Sequence, residues 1–553
     1  MEIKDSIRIV PLGGFGEIGR NMFVFENDNR FVVIDAGISF PEEEHPGIDL
    51  VLPDFSYLVE NREKVEGIIL THAHEDHIGA LPYLLREVSA PVYGSKLTLG
   101  FAGSRIEEFG LSDSTKLIEI KPRDKLSIAG MEFEFFSVSH SVVDSLGICL
   151  KTGFGRIVHT SDFKFDYGDS AGSAIDFYKL ASYGEEGVIL LLSDSTNADV
   201  KGFTPSESNL LDHFRRVISK SKGRIYVGTF SSNVVRIQHI LDICSEAGKK
   251  VVVLGRSMEK NIEIAARLGY LSFNPSLIVS PEIGRDLRPS DVVVLTTGTQ
   301  GEPMSALWRI VNGKYRGFQI NKGDTVILSA SIIPGNEKTV TNIINSIFRQ
   351  GAEVYYEGSE DIHVSGHGSS EELKLMISIT RPRYLLPLHG EYKHLIAYKK
   401  LASEMGYPED RVIIVENGDI ITVNEDGVKK TDRIELKNIY VDGSFIGKIE
   451  TKTLIERNRL SETGIFVIVM PVSIEENSVL YPEVFARGVI GTDQDEELIE
   501  KAREMVFNEM KAYLSHVDKN WDTFRDEIKK KLKTFFSQQT VSPPLIVPIV
   551  IES

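Results

Sequence analysis

Residues 72–77 read His-Ala-His-Glu-Asp-His and follow directly on the apolar stretch 67–71; this segment, more than any other, limits what the chain can fold into. We take four of its side chains as candidate metal ligands, His72, His74, Asp76 and His77, and they lie within six residues. One helical or strand face cannot present all four, because side chains repeat every 3.6 residues along a helix and every two along a strand. We therefore predict a loop at a strand end, folded around a metal site.

The alternative is that these histidines have no metal-binding role. A His-x-His pair alone is common and usually consists of two exposed or core histidines. Asp76 and His77 change this interpretation, because a solvated loop has no reason to concentrate three imidazoles and a carboxylate. Nitrogen and oxygen ligands favour Zn²⁺ or Mn²⁺ over metals that prefer soft sulfur ligands.

Length and composition predict a multidomain globular protein. The 553 residues favour about three domains, and the content of 42% hydrophobic and 26% charged residues is ordinary. Only Cys149 and Cys244 are present, which argues against a disulfide framework and favours a reducing cytosol. The first residues lack an apolar signal core, and no apolar run reaches the roughly 18 residues of a membrane helix, so we expect a cytoplasmic protein without a membrane partner.

The net charge of −18 argues against nucleic-acid binding through a broad basic surface. It leaves open a local groove, because bound divalent ions and a few Lys or Arg side chains can reverse the sign where a phosphate lies. Composition does not decide between these possibilities.

The apolar pattern changes along the chain. Before residue 205, short β-type stretches predict packed sheets flanked by helices, with strands at 7–11, 22–26, 31–35, 67–71, 91–94, 131–138, 147–151, 157–160 and 188–193. From 205 to 360, helices at 207–220, 233–247, 258–268 and 337–350 alternate with strands at 224–229, 250–254, 291–296, 325–329 and 353–357. Strands separated by helices predict a parallel sheet. A further strand, 384–388, ends at His389.

After residue 450, apolar residues repeat at helical spacing in two stripes. The first stripe contains Leu498, Ile499, Ala502, Val506, Met510 and Tyr513, and the second contains Trp521, Phe524, Ile528, Leu532 and Phe535. We interpret both as core faces of a small α/β appendage and not as cofactor sites. Lys529, Lys530, Lys531 and Lys533 are expected on the solvated side of the last helix.

Residues 14–19 match the G-x-G-x-x-G pattern of dinucleotide-binding loops and follow a strand. That fingerprint requires a helix next, whereas residues 21–26 have the pattern of another strand. We therefore predict a tight connection between adjacent strands and no nucleotide cofactor.

Three further residues of ligand type, His140, Asp162 and His389, stand where apolar strands end. Singly, each could be an ordinary core or capping residue. With the segment 72–77 they make a set of seven: His72, His74, Asp76, His77, His140, Asp162 and His389. Seven ligands suit two ions if one carboxylate bridges them and positions stay open for water and substrate.

These motifs resemble the metallo-β-lactamase fold, in which Asp35 matches an early aspartate that supports the ligands. The βα segment inserted before His389 resembles the β-CASP cap of nucleic-acid nucleases, whose acidic and histidine motifs match Asp194, His367 and His389. The resemblance is closest to the bacterial ribonuclease J family, and it covers nearly the whole chain. It rests on residues 11–19 (PLGGFGEIG), 40–44 (FPEEE), 53–57 (PDFSY), 296–302 (TTGTQGE), 334–337 (PGNE) and 361–367 (DIHVSGH). Gly368 departs from the family pattern, where we expect alanine.

The resemblance implies an α/β fold: an αββα metallo-β-lactamase sandwich with an inserted parallel β-CASP domain and a small C-terminal α/β domain. The implied boundaries are 1–205 and 361–430 for the two parts of the sandwich, 206–360 for the cap, 431–450 for a linker and 451–553 for an oligomerisation domain. It also implies homodimers or homotetramers and other RNA-decay proteins as partners.

The implied activity is hydrolysis of single-stranded RNA by two divalent ions per subunit, Zn or Mn. It comprises 5′-to-3′ exonuclease action from 5′-monophosphate ends and endonuclease action, in mRNA decay and rRNA maturation. By resemblance, His72, His74 and His140 hold one ion, Asp76, His77 and His389 hold the other, and Asp162 binds both. His367 is the candidate proton donor to the leaving group, and Asp194 is expected to orient His389 or the water network.

A 5′-end preference requires a phosphate pocket near the metals. Ser231, Ser232 and Asn233 lie at a strand-to-helix turn, where free backbone N–H groups favour an anion, and His363, Ser365 and His367 are candidates to complete the pocket. Plain helix capping by Ser232 or Asn233 is the alternative.

Two other functions are open at this point. A small-molecule hydrolase of the same fold, acting on a thioester or lactam, needs neither the inserted cap nor His367. A metal-free scaffold that tethers RNA-decay partners has no need of all seven ligands.

Overall fold

The computed structural model describes residues 6–42, 45–166, 174–302, 304–333, 335–359, 362–473, 475–489, 495–516, 520–539 and 543–552. Glu43, Glu44, Pro334 and Asp361, which belong to three of the family motifs, lie outside the described residues. The chain divides into two compact units, Met1–Phe40 with Val51–Ile439, and Pro41–Leu50 with Tyr440–Ser553. None of the helices in the described ranges combines the length and apolar character that a membrane span requires.

The amino-terminal region folds into short strands, and each strand predicted there is present to within a residue or two of its expected ends. The strands are β1 Ser6–Gly13, β2 Met22–Asn27, β3 Arg30–Ile34, β4 Leu50–Leu52, β5 Val65–Ile69, β6 Val92–Gly94, β7 Leu117–Glu119, β8 Lys125–Ile128, β9 Met131–Ser137, β10 Leu146–Thr152, β11 Gly155–His159 and β12 Val188–Asp194. The helices are α1 Ser56–Glu60, α2 Glu75–Ile78, α3 Leu81–Glu87, α4 Lys96–Glu108 and α5 Phe177–Glu186.

The inserted region alternates helices with strands, as predicted. Its helices are α6 Asn209–Lys220, α7 Val234–Glu246, α8 Arg256–Leu268, α9 Pro281–Asp286, α10 Ala306–Val311 and α11 Glu337–Arg349. Its strands are β13 Ile225–Gly228, β14 Lys250–Leu254, β15 Val292–Thr296, β16 Thr325–Leu328 and β17 Glu353–Tyr356. The strands form one sheet in the order β14-β15-β13-β16-β17, and every pairing in it is parallel.

The chain then returns to the first domain. The returning elements are α12 Ser370–Thr380, β18 Tyr384–Leu388, α13 Tyr392–Glu404, β19 Asp419–Asn424 and β20 Gly427–Arg433. They complete an eight-stranded sheet of order β20-β19-β1-β2-β3-β5-β6-β7 and a six-stranded sheet of order β18-β12-β11-β10-β9-β8.

The two large sheets form the predicted αββα sandwich. Side chains of both sheets, including Phe25, Phe133, Ile148 and Leu192, share one buried core. A second buried layer packs α5, α12 and α13 on the outer side of the six-stranded sheet. Apolar burial of this extent is the main stabilising term of such a domain.

The carboxy-terminal part contains β21 Ile439–Asp442, β22 Phe445–Gly447, α14 Thr451–Thr463, β23 Ile465–Ser473, β24 Ser478–Val479, β25 Glu483–Arg487, α15 Asp495–Tyr513, α16 Trp521–Gln539 and β26 Leu545–Glu552. Strand β23 lies between β26, which is parallel to it, and β24 and β25, which are antiparallel to it. The stripes of α15 and α16 form its core, and the predicted lysines of α16 are exposed.

One residue of the second stripe differs from the prediction. The fully buried aromatic ring near the end of α16 is Phe536, whereas Phe535 is half-buried. Both positions continue the helical spacing from Leu532, and the tilt of the helix on the sheet decides between them.

Candidate metal centre and nuclease site

The candidate ligands meet because neighbouring parallel strands end at the same edge of a sheet. Strands β11, β12 and β18 are adjacent and parallel, and they lead directly to Asp162, Asp194 and His389. In the other sheet, β3 and β5 are adjacent and parallel, and they lead to Asp35 and to the segment beginning at His72. The strand order therefore brings together residues far apart in the sequence, such as Asp76 and His389, which are 313 positions apart.

The segment 72–77 is only partly the loop that its sequence predicts. His72 precedes the turn and His74 is the residue before α2, whereas Asp76 and His77 lie within that single helical turn. His74 contributes to one group of ligand atoms, and Asp76 and His77 both contribute to another.

The first group comprises His72, His74, His140 and Asp162. Nδ1 of His74 lies 3.1 Å from Nε2 of His72 and 3.1 Å from Nε2 of His140. Oδ2 of Asp162 lies 3.6 Å from His72 Nε2 and 3.9 Å from His140 Nε2. Atoms that surround one Zn²⁺ tetrahedrally at about 2.1 Å are about 3.4 Å from one another, so this spacing fits a single ion.

The second group comprises Asp76, His77, Asp162 and His389. Nε2 of His389 lies 3.0 Å from Oδ2 of Asp76, and Nε2 of His77 lies 3.3 Å from Oδ2 of Asp162. Asp162 is the one residue common to both groups, as a bridging carboxylate must be.

The carboxylate of Asp162 is the clearest sign that this site is built for metal. Its residue is 1% exposed, and neither of its oxygens has a hydrogen-bond partner among the described residues. A buried carboxylate without partners costs several kcal/mol, about the penalty for removing an ion from water, unless a cation completes its surroundings. The residues present therefore fit a pair of divalent ions.

Hydrogen bonds behind the ligands orient three histidines and set the tautomers of two of them. Nδ1 of His77 is 2.8 Å from Oδ2 of Asp35, and Nδ1 of His140 is 2.7 Å from the carbonyl oxygen of Gly366. Both oxygens accept, so Nδ1 carries the proton and Nε2 keeps its lone pair for the site. Nδ1 of His389 is likewise 2.7 Å from Oγ1 of Thr196. Partners of this kind orient metal ligands and raise their basicity.

Asp194 and His367 form a separate pair beside the ligands. Oδ2 of Asp194 is 2.7 Å from Nδ1 of His367, and Nε2 of His367 is 3.9 Å from Oδ2 of Asp162. Burial alone would lower the pKa of His367, but the carboxylates of Asp194 and Asp162 raise it to about 9. Asp194 also accepts from the hydroxyl of Thr196, which contacts His389. It therefore reaches both histidines, one directly and one through Thr196.

The sequence singled out neither Thr196, nor Gly366, nor Asn21 as a site residue. Nδ2 of Asn21 lies 3.0 Å from Nε2 of His77 and donates to the carbonyl of Asp76 at 3.1 Å. None of these residues belongs to a metal-ligand pattern. Their contribution arises from side chains and carbonyls that meet only in the folded chain.

The glycine-rich residues 14–19 connect β1 and β2, which pair antiparallel, and no helix follows them. The structural prediction of a tight connection between strands is therefore confirmed. Asn21, at its end, places its amide beside the second ligand group.

The proposed phosphate-binding residues lie on several elements. Ser231 and Ser232 line a cavity of about 940 Å³ whose wall also includes Ala73 and Glu75 of the metal-binding segment. The side chain of Asn233 caps α7, because its Oδ1 accepts from the backbone N–H of Arg236 at 3.0 Å. This is the capping arrangement that the sequence left open as an alternative.

The other three candidates lie on one stretch of chain. Ser365 accepts from Nδ2 of Asn197 at 3.0 Å and from the backbone N–H of His367 at 3.1 Å. His363 contacts the guanidinium of Arg236. The stretch 362–367 thus connects the inserted domain to the carbonyl that orients His140 and to His367 itself.

Family models match the chain over four segments. Residues 15–195 match the metallo-beta-lactamase superfamily, 222–347 the beta-CASP domain of ribonuclease J, 351–415 the RNA specificity domain of Zn-dependent metallo-hydrolases, and 452–553 the ribonuclease J C-terminal domain.

Named relatives resemble the whole chain. Ribonuclease J 1 of Streptococcus pyogenes is 37% identical over 99% of this chain and 98% of its own length. Ribonuclease J of Thermus thermophilus is 40% identical over 99% of this chain and 96% of its own, and ribonuclease J2 of Bacillus subtilis is 36% identical over 99% of both.

A crystal structure of a protein of unknown function from Enterococcus faecalis superposes with a TM-score of 0.54 at 16% identity, covering 75% of this chain and all of that one. This likeness supports the fold alone. The sequence identity to the named relatives is above one third over nearly the full length of this chain and of each relative, which is evidence for the family as well as the fold. Together with the site geometry, it shows that this chain belongs to the ribonuclease J family of metal-dependent ribonucleases built on the metallo-β-lactamase fold.

Proposed function

We propose that this protein uses two divalent ions per subunit, Zn²⁺ or Mn²⁺, to hydrolyse single-stranded RNA in the cytoplasm, in mRNA decay and rRNA maturation. It removes nucleotides from 5′-monophosphate ends in the 5′-to-3′ direction and also cuts internally. The observation that carries the proposal is the buried carboxylate of Asp162, which has no hydrogen-bond partner among the described residues and belongs to two groups of imidazole and carboxylate ligands.

In this proposal, the ligands divide as the geometry groups them. His72, His74 and His140 hold one ion, and Asp76, His77 and His389 hold the other, with Asp162 binding both. A pair of ions supplies activation of water near neutral pH and charge stabilisation for a phosphoryl group.

The chain's own acid is His367. Asp194 accepts a hydrogen bond from Nδ1–H of His367 and so keeps the ring orientated, while Nε2 points toward the ligand cluster. A protonated His367 can give its Nε2 proton to the departing 3′-oxygen and remain hydrogen-bonded to Asp194 as a neutral ring. Asp194 thereby acts as a positioning residue for both His367 and, through Thr196, His389.

For the 5′ end, we propose a phosphate pocket formed by Ser231, Ser232, Asn233, His363, Ser365 and His367. Two features of the structure support it. Ser231 and Ser232 share a cavity with residues of the metal-binding segment. His363 and Ser365 belong to the same short stretch of chain as His367. A terminal phosphate bound by them is therefore held close to the proposed acid.

The test compares three RNAs of the same sequence: one 5′-monophosphorylated, one 5′-triphosphorylated and one circular. We expect mononucleotides mainly from the first and internal cuts in the circle, each abolished by a chelator and restored by Mn²⁺ or Zn²⁺. Metal analysis of the purified protein should give two ions per chain in the parent and fewer in Asp76→Ala. Absence of both products with either metal would refute the nuclease proposal.

We further propose that the segment 451–553 is an oligomerisation domain that binds a second copy of this chain. One face of its sheet is packed on α15 and α16. The opposite face carries Phe485, Ile549 and Ile551, which are 54%, 40% and 49% exposed. Their strand register places them beside Val467, Val469 and Pro471 of β23, so the exposed apolar side chains are contiguous.

Light scattering of Phe485→Glu and of Ile551→Glu tests this second proposal. We expect a smaller oligomer than the parent, with Lys529→Glu on the solvated side of α16 as the control. An unchanged mass in both apolar-face variants would contradict it.

A further inference from the structure

Arg236, in α7 of the inserted domain, is fully buried. Its guanidinium is held on two sides: Nη2 and Nε donate to Glu207 at 2.6 and 3.3 Å, and Nη1 donates to the carbonyl oxygen of Ser329 at 2.8 Å. It also donates to the carbonyl of Val364 at 3.3 Å. A planar guanidinium with this many fixed acceptors has no freedom to rotate.

This fixed guanidinium determines the tautomer of His363. Nη1 of Arg236 lies 2.9 Å from Nδ1 of His363, and a guanidinium can only donate. Nδ1 must therefore accept, and the ring proton lies on Nε2. Burial, together with the charges of Arg236 and Lys164, holds the pKa of His363 well below its usual range, so the ring stays neutral and in this one tautomer.

The Nε2 proton of His363 has a defined acceptor. Nε2 contacts Oγ of Ser331, which lies just after β16 and is half-buried. Because Ser331 accepts this hydrogen bond, its own hydroxyl hydrogen is left to donate to another group. The hydrogen-bond series from Arg236 through His363 to Ser331 thus orients the Ser331 hydroxyl as a donor.

The fold puts this donor where parallel α/β sheets bind ligands. Strands β13 and β16 are neighbours, but the chain continues from β13 to β14 on one side of the sheet and from β16 to β17 on the other. The loops after the two strands therefore diverge and leave a crevice at their carboxyl ends, the usual place for a ligand. Ser231 and Ser232 follow β13, and Ser331 follows β16.

We propose that Ser331 is a further phosphate-binding residue of this protein, and that Arg236 and His363 are positioning residues that orient its hydroxyl. The inference rests on the 5′-phosphate pocket proposed above, and it changes the role of His363 there. His363 uses its only ring proton on Ser331, so Ser331 and not the imidazole donates to the phosphate.

The experiment compares Ser331→Ala with the parent on two RNAs that differ only in a 5′-monophosphate or a 5′-hydroxyl, and on a circular RNA. A hydrogen bond to a charged phosphate is worth enough to change the apparent affinity by about tenfold. We therefore expect the KM for the 5′-monophosphorylated RNA to rise by about tenfold in Ser331→Ala, with the 5′-hydroxyl RNA and internal cutting of the circle unchanged. Ser276→Ala, an exposed serine of the same domain, is the matched control.

Arg236→Lys tests the positioning role, because lysine keeps the charge but lacks the planar fork. We expect the same selective loss on the 5′-monophosphorylated RNA. If Arg236→Lys also loses internal cutting, its defect is structural and Ser331→Ala decides alone. A Ser331→Ala variant that keeps the parent's KM and its full discrimination between the two ends overturns the inference. A parent that shows no discrimination overturns the pocket of the proposed function instead.

Discussion

Replacing Gly37 by alanine should disable the second metal group without removing a single ligand. A Cβ at Gly37 would stand 1.6 Å from the carbonyl oxygen of Asp76 and 2.7 Å from the backbone nitrogen of His77. The first separation is less than half the 3.4 Å at which ordinary van der Waals contact begins. Both neighbours are backbone atoms, so no side chain can swing away to relieve the contact.

The turn that carries Asp76 and His77 must therefore move by about 1 Å or more, a displacement that commonly costs about a hundredfold in rate. We expect Gly37→Ala to bind fewer than two ions per chain and to lose at least about that factor in kcat. Metal analysis and RNA cleavage at saturating Mn²⁺ measure both effects.

Gly153→Ala is the matched control, because a Cβ at that exposed glycine has no neighbour within 4 Å among the described residues. It should resemble the parent in metal content and in rate. A Gly37→Ala protein with two ions and parental turnover would refute the reasoning, since it would mean that the ligand positions tolerate a shifted backbone.

Three further predictions test the parts of the site and the domain that carries it. His367→Ala should slow RNA cleavage by about a hundredfold or more with its metal content unchanged; loss of metal would show that His367 is not the acid we propose. Thr196→Val removes the hydroxyl that contacts Nδ1 of His389 and should weaken metal affinity by about 10- to 100-fold in a chelator competition, whereas unchanged affinity would contradict an orienting role. Burial raises the pKa of Glu134, but pairing with Lys179 and other cations lowers it to about 2 from 4.5, so its stabilising contribution is present above pH 4.5 and is lost as the pH falls toward 2. The melting temperature of Glu134→Gln should lie below that of the parent at pH 7, and the difference should shrink between pH 4.5 and 2; a constant difference would argue against this titration.

Local sequence patterns predicted most of the fold. Short apolar stretches marked the strands of the sandwich, and strands separated by helices marked the parallel sheet of the inserted domain, because both patterns follow from backbone geometry within a few residues. The patterns were least precise in locating buried side chains where two neighbouring positions both fit the helical repeat. Phe535 and Phe536 both continue the stripe of α16, and only the packing of that helix on its sheet buries Phe536.

The capping of α7 is a second example. The serines and asparagine after β13 fit both a phosphate pocket and a helix cap, since both uses depend on free N–H groups at a helix start. In the structure, Oδ1 of Asn233 caps α7, whereas Ser231 and Ser232 line the wall of a cavity.

By itself, the sequence determined which residues could bind metal, because each stands at the end of an apolar strand and belongs to a ligand-type residue class. Only the tertiary structure decided how they divide into two groups and which residues support them. The supporting contacts join His363 to Arg236, His389 to Thr196 and His140 to Gly366, over separations of 127, 193 and 226 residues. Such contacts depend on the order in which strands assemble into sheets, and no local periodicity encodes that order.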